Sequence, residues 1–251
     1  MNTEPFDRLD QYIAEDRLLR GDWTAERDGR EMACLLAALS PEVAEKRSAD
    51  ACPAALMPAW MANLTVWIDD NPSADHWPVV IRRYATVVRR FPLWYEAEWK
   101  RRGFLVGAAI MRVARHSEAD EWGCQAALDN MIALFDRAAN GGEVTRSEWD
   151  TAQEVAARAA VAARAAEAAE AAEAWGAARA AVAAVAAWAA EAAWAAEAAE
   201  AAWAAWDTAQ ARAAWAAWVA WAEGAEGVAW AEGAEGVDRV CDAILDALET
   251  T

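Results

Sequence analysis

Residues 155–248 keep a three-residue register in which one variable residue is followed by two that are almost always alanine. From Val182 it runs VAAVAAWAAEAAWAAEAAEAAWAAW, the variable slot holding Val, Trp or Glu. Alanine loses no side-chain entropy in a helix, and a segment of this length overcomes the nucleation penalty, so the pattern predicts helix. At about 100° per residue, each step of three falls about 60° short of a turn, and the slot returns to the same line after about eighteen residues. A 3₁₀-helix would align every slot on one edge, but its poorer hydrogen bonds rarely persist beyond a few residues.

On an α-helix, Val182, Val185, Trp188, Trp203, Trp206, Trp218 and Trp221 share one stripe, interrupted by Glu200 and Gly224. The opposite side carries Glu173, Arg179, Glu191, Glu197 and Arg212, with Trp194, Trp215 and Trp230 out of place. Before Gly176 the sense differs, because Arg164, Glu167 and Glu170 occupy lines later taken by tryptophan, so a kink or fold-back near Gly176 is expected. Each buried indole removes roughly 150–250 Å² from water, on the order of 4–6 kcal/mol as an upper bound. The stripe is therefore a candidate surface for this chain's own core, for self-assembly or for a partner.

Upstream, the hydrophobic spacing predicts shorter helices. Phe6, Leu9 and Ile13 predict a first, ending near Gly21; Met32, Leu35, Leu36 and Leu39 a second, stopping before Ser40-Pro41. Met57, Trp60, Met61, Leu64, Trp67 and Ile68 predict a third, stopping at Asp69-Asp70-Asn71-Pro72. Val80, Ile81, Tyr84, Val87 and Val88 predict a fourth from near Pro78. Residues 93–115 read as one or two helices broken near Gly103, and 122–139 as another closed by Asn140-Gly141-Gly142. No stretch alternates well enough to predict a strand.

Thr145 with Glu148 has the form of a capping box that starts the long run. Gly224, Gly227, Gly233 and Gly236 predict fraying, after which Val237, Val240, Cys241, Ile244, Leu245 and Leu248 predict a short amphipathic helix docked on the core. The expectation is an all-α protein: a compact helical domain over 1–144, an Ala/Trp/Glu helical segment over 145–222, a Gly-rich repeat over 223–236 and a C-terminal helix over 237–251.

Trp-Asp-Thr-Ala-Gln occurs at 149–153 and again at 206–210, and WAEGAEGVA from Trp221 returns from Trp230 as WAEGAEGVD. Both duplications keep the register, which points to growth by repeat expansion. The motifs QYIAEDRLLRGDWT, ACLLAALSPEVA, CPAALMPAWMANLTVWIDD and HWPVVIRRYA, with the Ala/Trp run and the ending DRVCDAILDAL, resemble a group of uncharacterised alanine-rich proteins of bacterial and phage genomes. The likeness covers about the first 90 residues, the style of the run and the last helix. It implies a bacterial or mobile-element setting and brings no site residue with it.

Charge narrows the function classes. The chain has 41 acidic and 23 basic residues, a net charge of -18, which opposes nucleic acid and anionic membranes. Cys34, Cys52, Cys124 and Cys241 form no CxxC pair and no zinc spacing, which fits a reducing cytoplasm and no metal or cofactor. Neither a signal peptide nor a membrane span is expected. No phosphate loop, nucleophile elbow or zinc-hydrolase motif is present. Asp69, Asp70, Asp75 and His76 are the only local cluster of ligand types, and helix capping accounts for them. His116 beside Arg115 suits a helix C-terminus.

Arg82, Arg83, Arg89, Arg90, Lys100, Arg101, Arg102, Arg112 and Arg115 lie within 34 residues containing only two acidic ones, Glu96 and Glu98. Trp94, Tyr95, Trp99 and Phe104 are interspersed. Arginine among aromatics can bind nucleic acid; given the overall charge, the expected counterpart is acidic protein, this chain's Glu-rich run or a neighbouring copy. The leading expectation is a non-enzymatic structural or interaction protein whose partner is itself or another helical protein. The alternatives are an acidic nucleic-acid mimic that inhibits a host DNA-binding enzyme, and a small-ligand binder with a tryptophan-lined pocket. The stripe geometry predicts that Trp203→Ala and Trp221→Ala each destabilise folding or assembly by about 3–5 kcal/mol, with much smaller effects of Trp194→Ala and Trp230→Ala. Equal effects at all four positions in chemical unfolding would contradict the eighteen-residue geometry.

Overall fold

The computed structural model describes residues 4–117, 124–152, 154–155 and 234–250. The protein is predominantly α-helical, with one two-stranded sheet among the described residues. The chain forms two compact units, residues 1–99 and 100–251. The tryptophan stripe from Val182 to Trp221, the Gly176 kink and the repeat over 223–233 lie outside the described residues.

In the first unit, α1 (Glu4–Ala14) buries Phe6, Leu9 and Tyr12, one face at helical spacing. It ends earlier than the Gly21 expected from sequence. Asp16 takes a left-handed conformation (φ 53°), and Arg17 N–H donates back to Tyr12 O at 2.8 Å, the hydrogen bond of a Schellman-type stop. The Arg17 guanidinium then lies 4.2 Å from the Tyr12 ring centroid. Residues 17–19 run extended beside a strand, with Ala33 N–H donating to Arg17 O and Leu19 N–H to Ala33 O.

That strand belongs to a hairpin absent from the sequence expectation. Strand β1 (Thr24–Arg27) pairs antiparallel with β2 (Arg30–Ala33), Thr24 opposite Ala33 and Arg27 opposite Arg30. Asp28 and Gly29 link them, both with positive φ, as a type I′ turn requires. Met32 is accordingly on β2 and is not the start of the second helix, which begins at Leu35.

Helix α2 (Leu35–Leu39) is buried at all five residues. It contacts α1, α3 (Pro41–Lys46), which Pro41 opens, and α4 (Ala59–Asp70). Helix α4 turns Met61, Ala62, Leu64, Trp67 and Ile68 inward and stops at Asn71, as the sequence predicts. Helix α5 (Trp77–Val88) packs on α1 and α4 through a face that includes Val80, Ile81, Tyr84 and Val88. The core of this unit thus forms around α2.

Helix α6 (Glu96–Ser117), whose residues from Lys100 onward belong to the second unit, passes through Gly103 without the expected break. An interior glycine weakens a helix by only about 1 kcal/mol, less than the packing of Phe104, Val106, Ile110 and Met111 supplies. Helix α7 (Cys124–Ala139) buries Leu128, Met131 and Phe135. It closes at Gly141 (φ 76°), where Gly142 N–H donates to Arg137 O at 2.9 Å. The capping box forms as its sequence implies: Thr145 N–H donates to Glu148 Oε2 at 2.8 Å and Glu148 N–H to Thr145 Oγ1 at 3.3 Å. The Thr145 N–H, Arg137 and the Thr145 hydroxyl, all donating to the Glu148 carboxylate, hold its carboxyl down at about 2. Four residues on, Trp149 packs against Phe135 at 5.0 Å and stacks on Phe104 at 6.3 Å.

The C-terminal helix (Ala234–Glu249) starts three residues before the sequence expectation and includes Gly236. Val240, Cys241, Ile244, Leu245 and Leu248 are buried. Its last turn is held by Arg102 of α6, only 2% exposed, whose Nη1 donates to the carbonyls of Ala247 and Leu248, each at 3.1 Å, and to Thr250 O. The final carbonyls of a helix lack intrahelical donors, and a buried cation there also complements the dipole. Among the described residues, no helix is long and apolar enough to cross a membrane. Arg102→Met should lower stability by about 2–4 kcal/mol because it leaves buried carbonyls unserved, and Arg102→Lys should restore only part of the loss. Urea unfolding that leaves Arg102→Met within about 0.5 kcal/mol of the parent would refute this latch.

Candidate functional site

The nine basic residues singled out by sequence divide between the two units, and not all of them are exposed. Arg82 is exposed and Arg83 half-buried on α5, while Arg89 and Arg90 lie just beyond that helix. Lys100, Arg101, Arg102, Arg112 and Arg115 are carried by α6, with Arg102 buried as the latch described above. Several of the others meet carboxylates of the helical body. Arg89 pairs with Asp10 of α1. Arg112 straddles both oxygens of Asp136 on α7, at 2.6 and 2.5 Å, and Arg115 likewise spans Asp129. These three arginines thus meet aspartates of α1 and α7, whereas the glutamates of the run, the counterpart expected from sequence, lie outside the described residues.

The aromatic residues divide between the two units. Phe104 joins Phe135 and Trp149, whereas Trp94 and Trp99 close a cluster around the turn after α5. The 3₁₀ turn Phe91–Leu93 is set by Pro92, and α6 starts four residues after that proline. Phe91 lies 4.9 Å from Trp94 and 4.8 Å from Trp99, while Trp94 and Trp99 meet edge to face at 4.9 Å. Trp60 of α4 adds a fourth ring, 6.0 Å from Trp99, and Tyr84 a fifth, 6.3 Å from Phe91. Rings this close fill the space among themselves, so the cluster is a platform with no ligand slot within it. The Arg90 guanidinium lies 5.8 Å from the Trp94 ring centroid. On either side of buried Trp94, Leu93 and Tyr95 project outward, 66% and 73% exposed.

The acidic cluster at the end of α4 resolves differently from its sequence reading. Asp75 is exposed, His76 takes the N-cap position of α5, and Asp69 is 1% exposed. Asp69 Oδ2 accepts Leu35 N–H, the first amide of α2, at 2.9 Å, and Oδ1 accepts the Trp77 indole N–H, on the first residue of α5, at 3.0 Å. It caps a helix distant in sequence. Burial pushes its carboxyl up to about 7, against the pull of both donors. Asp70 Oδ1 accepts Gly21 N–H at 2.8 Å, and Arg20 donates to the carbonyls of Asp70 and Pro72.

Deeper in the unit, the Thr65 and Tyr84 hydroxyls share a 2.6 Å hydrogen bond, and Thr65 Oγ1 also donates to Met61 O at 2.8 Å. Burial pushes the Cys34 and Cys52 thiols up to about 12, so neither supplies a thiolate nucleophile near neutral pH. An open depression of about 490 Å³ on the hairpin is lined by Thr24, Ala25, Glu26, Gly29 and Glu31, a shape without the enclosure a small-molecule site needs. No cluster of three metal-ligating side chains occurs among the described residues.

No protein family matches the chain, and neither a curated protein nor a solved structure shows significant similarity to it.

The arginine–aspartate pairs are substantially exposed, and exposed pairs contribute little. Arg89→Gln, Arg112→Gln and Arg115→Gln are each expected to change stability by less than about 1 kcal/mol, with the difference shrinking as salt is raised. Urea midpoints at low and high salt check this; a loss comparable to that of Arg102→Met at any of the three would show that these pairs hold the fold.

Proposed function

We propose that the chain is a non-enzymatic interaction protein that assembles with other polypeptide, first of all with further copies of itself. The observation that carries the reading is the pair Leu93 and Tyr95, held outward on a close-packed aromatic platform. A large apolar side chain kept in water by a rigid base forfeits the stabilisation of burial until a second surface covers it. Tyrosine suits that role because its ring buries area while its hydroxyl keeps a hydrogen bond, and little side-chain entropy is lost on docking.

Charge favours a second copy as the partner. Arg90, Lys100 and Arg101 flank the platform in sequence, whereas the stretch 156–233 holds ten acidic and four basic residues together with nine tryptophans. One chain therefore carries both an arginine-flanked aromatic turn and an acidic, tryptophan-bearing segment, complementary in composition between copies. The small residues of that segment suit close approach of helices. The bacterial or mobile-element setting belongs to the same proposal, on the strength of the sequence resemblance alone.

Size-exclusion chromatography with light scattering over a concentration series tests it. The 27.2 kDa chain should show a mass that rises with concentration. The double variant Leu93→Ser/Tyr95→Ser should weaken association at least about tenfold, equivalent to ~1.4 kcal/mol, with the urea midpoint of the monomer unchanged. A monomer at every concentration, or an unaltered mass distribution in the variant, overturns the proposal. Competition with DNA for a basic DNA-binding enzyme, indifferent to the double variant, would favour the nucleic-acid mimic instead.

A further inference from the structure

Asp69 is unusual in its surroundings as well as its burial. Both its hydrogen-bond donors are neutral groups, the Leu35 amide and the Trp77 indole, and they belong to two elements far apart in sequence. Arg20, the cation that acts on it, donates to the carbonyls of Asp70 and Pro72, and both hydrogen-bond donors to the Asp69 carboxyl are uncharged. The other titratable groups that act on it or feel it are Asp70 on α4, Cys34 at the N-cap of α2 and Tyr84 on α5. An ionised carboxylate in this position is stabilised by two neutral dipoles and, to a smaller extent, by the Arg20 charge, with no ion pair of its own, and in an interior that is an expensive arrangement. Protonation removes the charge, while each oxygen keeps a lone pair for its N–H donor.

We infer that the Asp69 junction is a proton-responsive clasp: the buried carboxyl joins α2 and the first turn of α5 to the end of α4, and the folded arrangement is more stable with this carboxyl neutral than with it ionised. The direction follows from linkage. The carboxyl loses its proton near pH 7 in the folded chain and near its ordinary value of 3.8 in the unfolded chain, so between these values the folded state binds the extra proton. The resulting stabilisation is fully present below about pH 3.8 and is lost as pH rises through about 7. Asp70 is also raised by burial and accepts Gly21 N–H, so it reinforces the trend from the neighbouring position. The clasp is independent of the proposed assembly surface.

The test is urea unfolding of the full chain, followed by circular dichroism, from about pH 5 to about pH 8. The unfolding constant of the parent should rise on the order of 10–100-fold over that range through this group. Asp69→Asn should lack that component, and His76→Gln, which changes the imidazole at the N-cap of α5, should retain it. Trp77→Phe removes a donor that favours the ionised form, so its step should move to higher pH whatever its absolute stability. A step of unchanged size in Asp69→Asn, or of unchanged position in Trp77→Phe, overturns the inference. Should Asp69→Asn fail to fold, Trp77→Phe and a carboxyl-carbon NMR titration of Asp69 in the parent decide it: a midpoint near the ordinary aspartate value sinks the clasp and one near neutrality sustains it.

Discussion

A helix of five residues has almost no interior. In α2 most backbone N–H and C=O groups belong to a terminus, and all five side chains are buried, so water is poorly placed to satisfy them. Side chains and neighbouring backbone do so instead. Cys34 Sγ takes the Ala37 amide, Ser40 N–H donates to Leu36 O, and the Leu35 amide reaches across to Asp69. A buried amide left unserved costs about 1–3 kcal/mol, which is why a carboxylate can be retained in an apolar interior. Because its second oxygen holds the Trp77 indole, the acceptor that completes α2 also fixes where α5 begins. The mutual placement of three helices in the first unit thus depends on one carboxyl group, and so does that unit's sensitivity to protons.

Period and punctuation in the sequence were enough for the larger elements. The third expected helix appears over Ala59–Asp70, starting two residues after Met57, and the fourth where Val80 to Val88 place it, and Thr145 with Glu148 makes the reciprocal bonds that its four-residue motif implies. The failures share a cause: a local signal was outweighed by longer-range packing, or was too short for a period to show. Gly103 looked like a break, yet the buried face of α6 carries the helix through it. The hairpin had one clear sign, Asp28-Gly29, the dipeptide that favours a turn with two positive φ values. Its strands, TAER and REMA, lack alternation because β1 has no buried residue and β2 buries only Met32 and Ala33. A sheet with so little buried surface leaves almost no trace in the hydrophobic pattern.

The candidate site was legible as composition and not as arrangement. Nine basic residues within 34 positions suggested a patch, but proximity in sequence along two helices and a turn spreads side chains around several faces. Arg102 illustrates the limit. Nothing in KRRGF distinguishes it from Arg101, yet one is buried on the carbonyls of the C-terminal helix, 145 residues away in sequence, and the other is half-buried. Likewise Asp69 and Asp70 are adjacent and chemically identical, and helical geometry alone directs the first inward to α2 and α5 and the second towards Gly21. The capping expected from sequence holds for Asp69 alone, and on a helix the sequence had no means of identifying; Asp70 serves a loop amide instead.

The turn at residues 91–95 shows why hydrophobic content by itself cannot separate core from contact surface. Phe-Pro-Leu-Trp-Tyr reads as one apolar run, and a hydropathy pattern would bury all of it. Pro92 imposes a tight 3₁₀ turn instead, after which the chain is extended at Trp94. Extended backbone sends neighbouring side chains to opposite sides, so burying Trp94 between Phe91 and Trp99 obliges Leu93 and Tyr95 to face outward. Their exposure is thus a product of the same packing that holds the turn rigid. Relieving it by rotation would require pulling Trp94 from its aromatic neighbours, so covering the two side chains with a second surface is the less costly route.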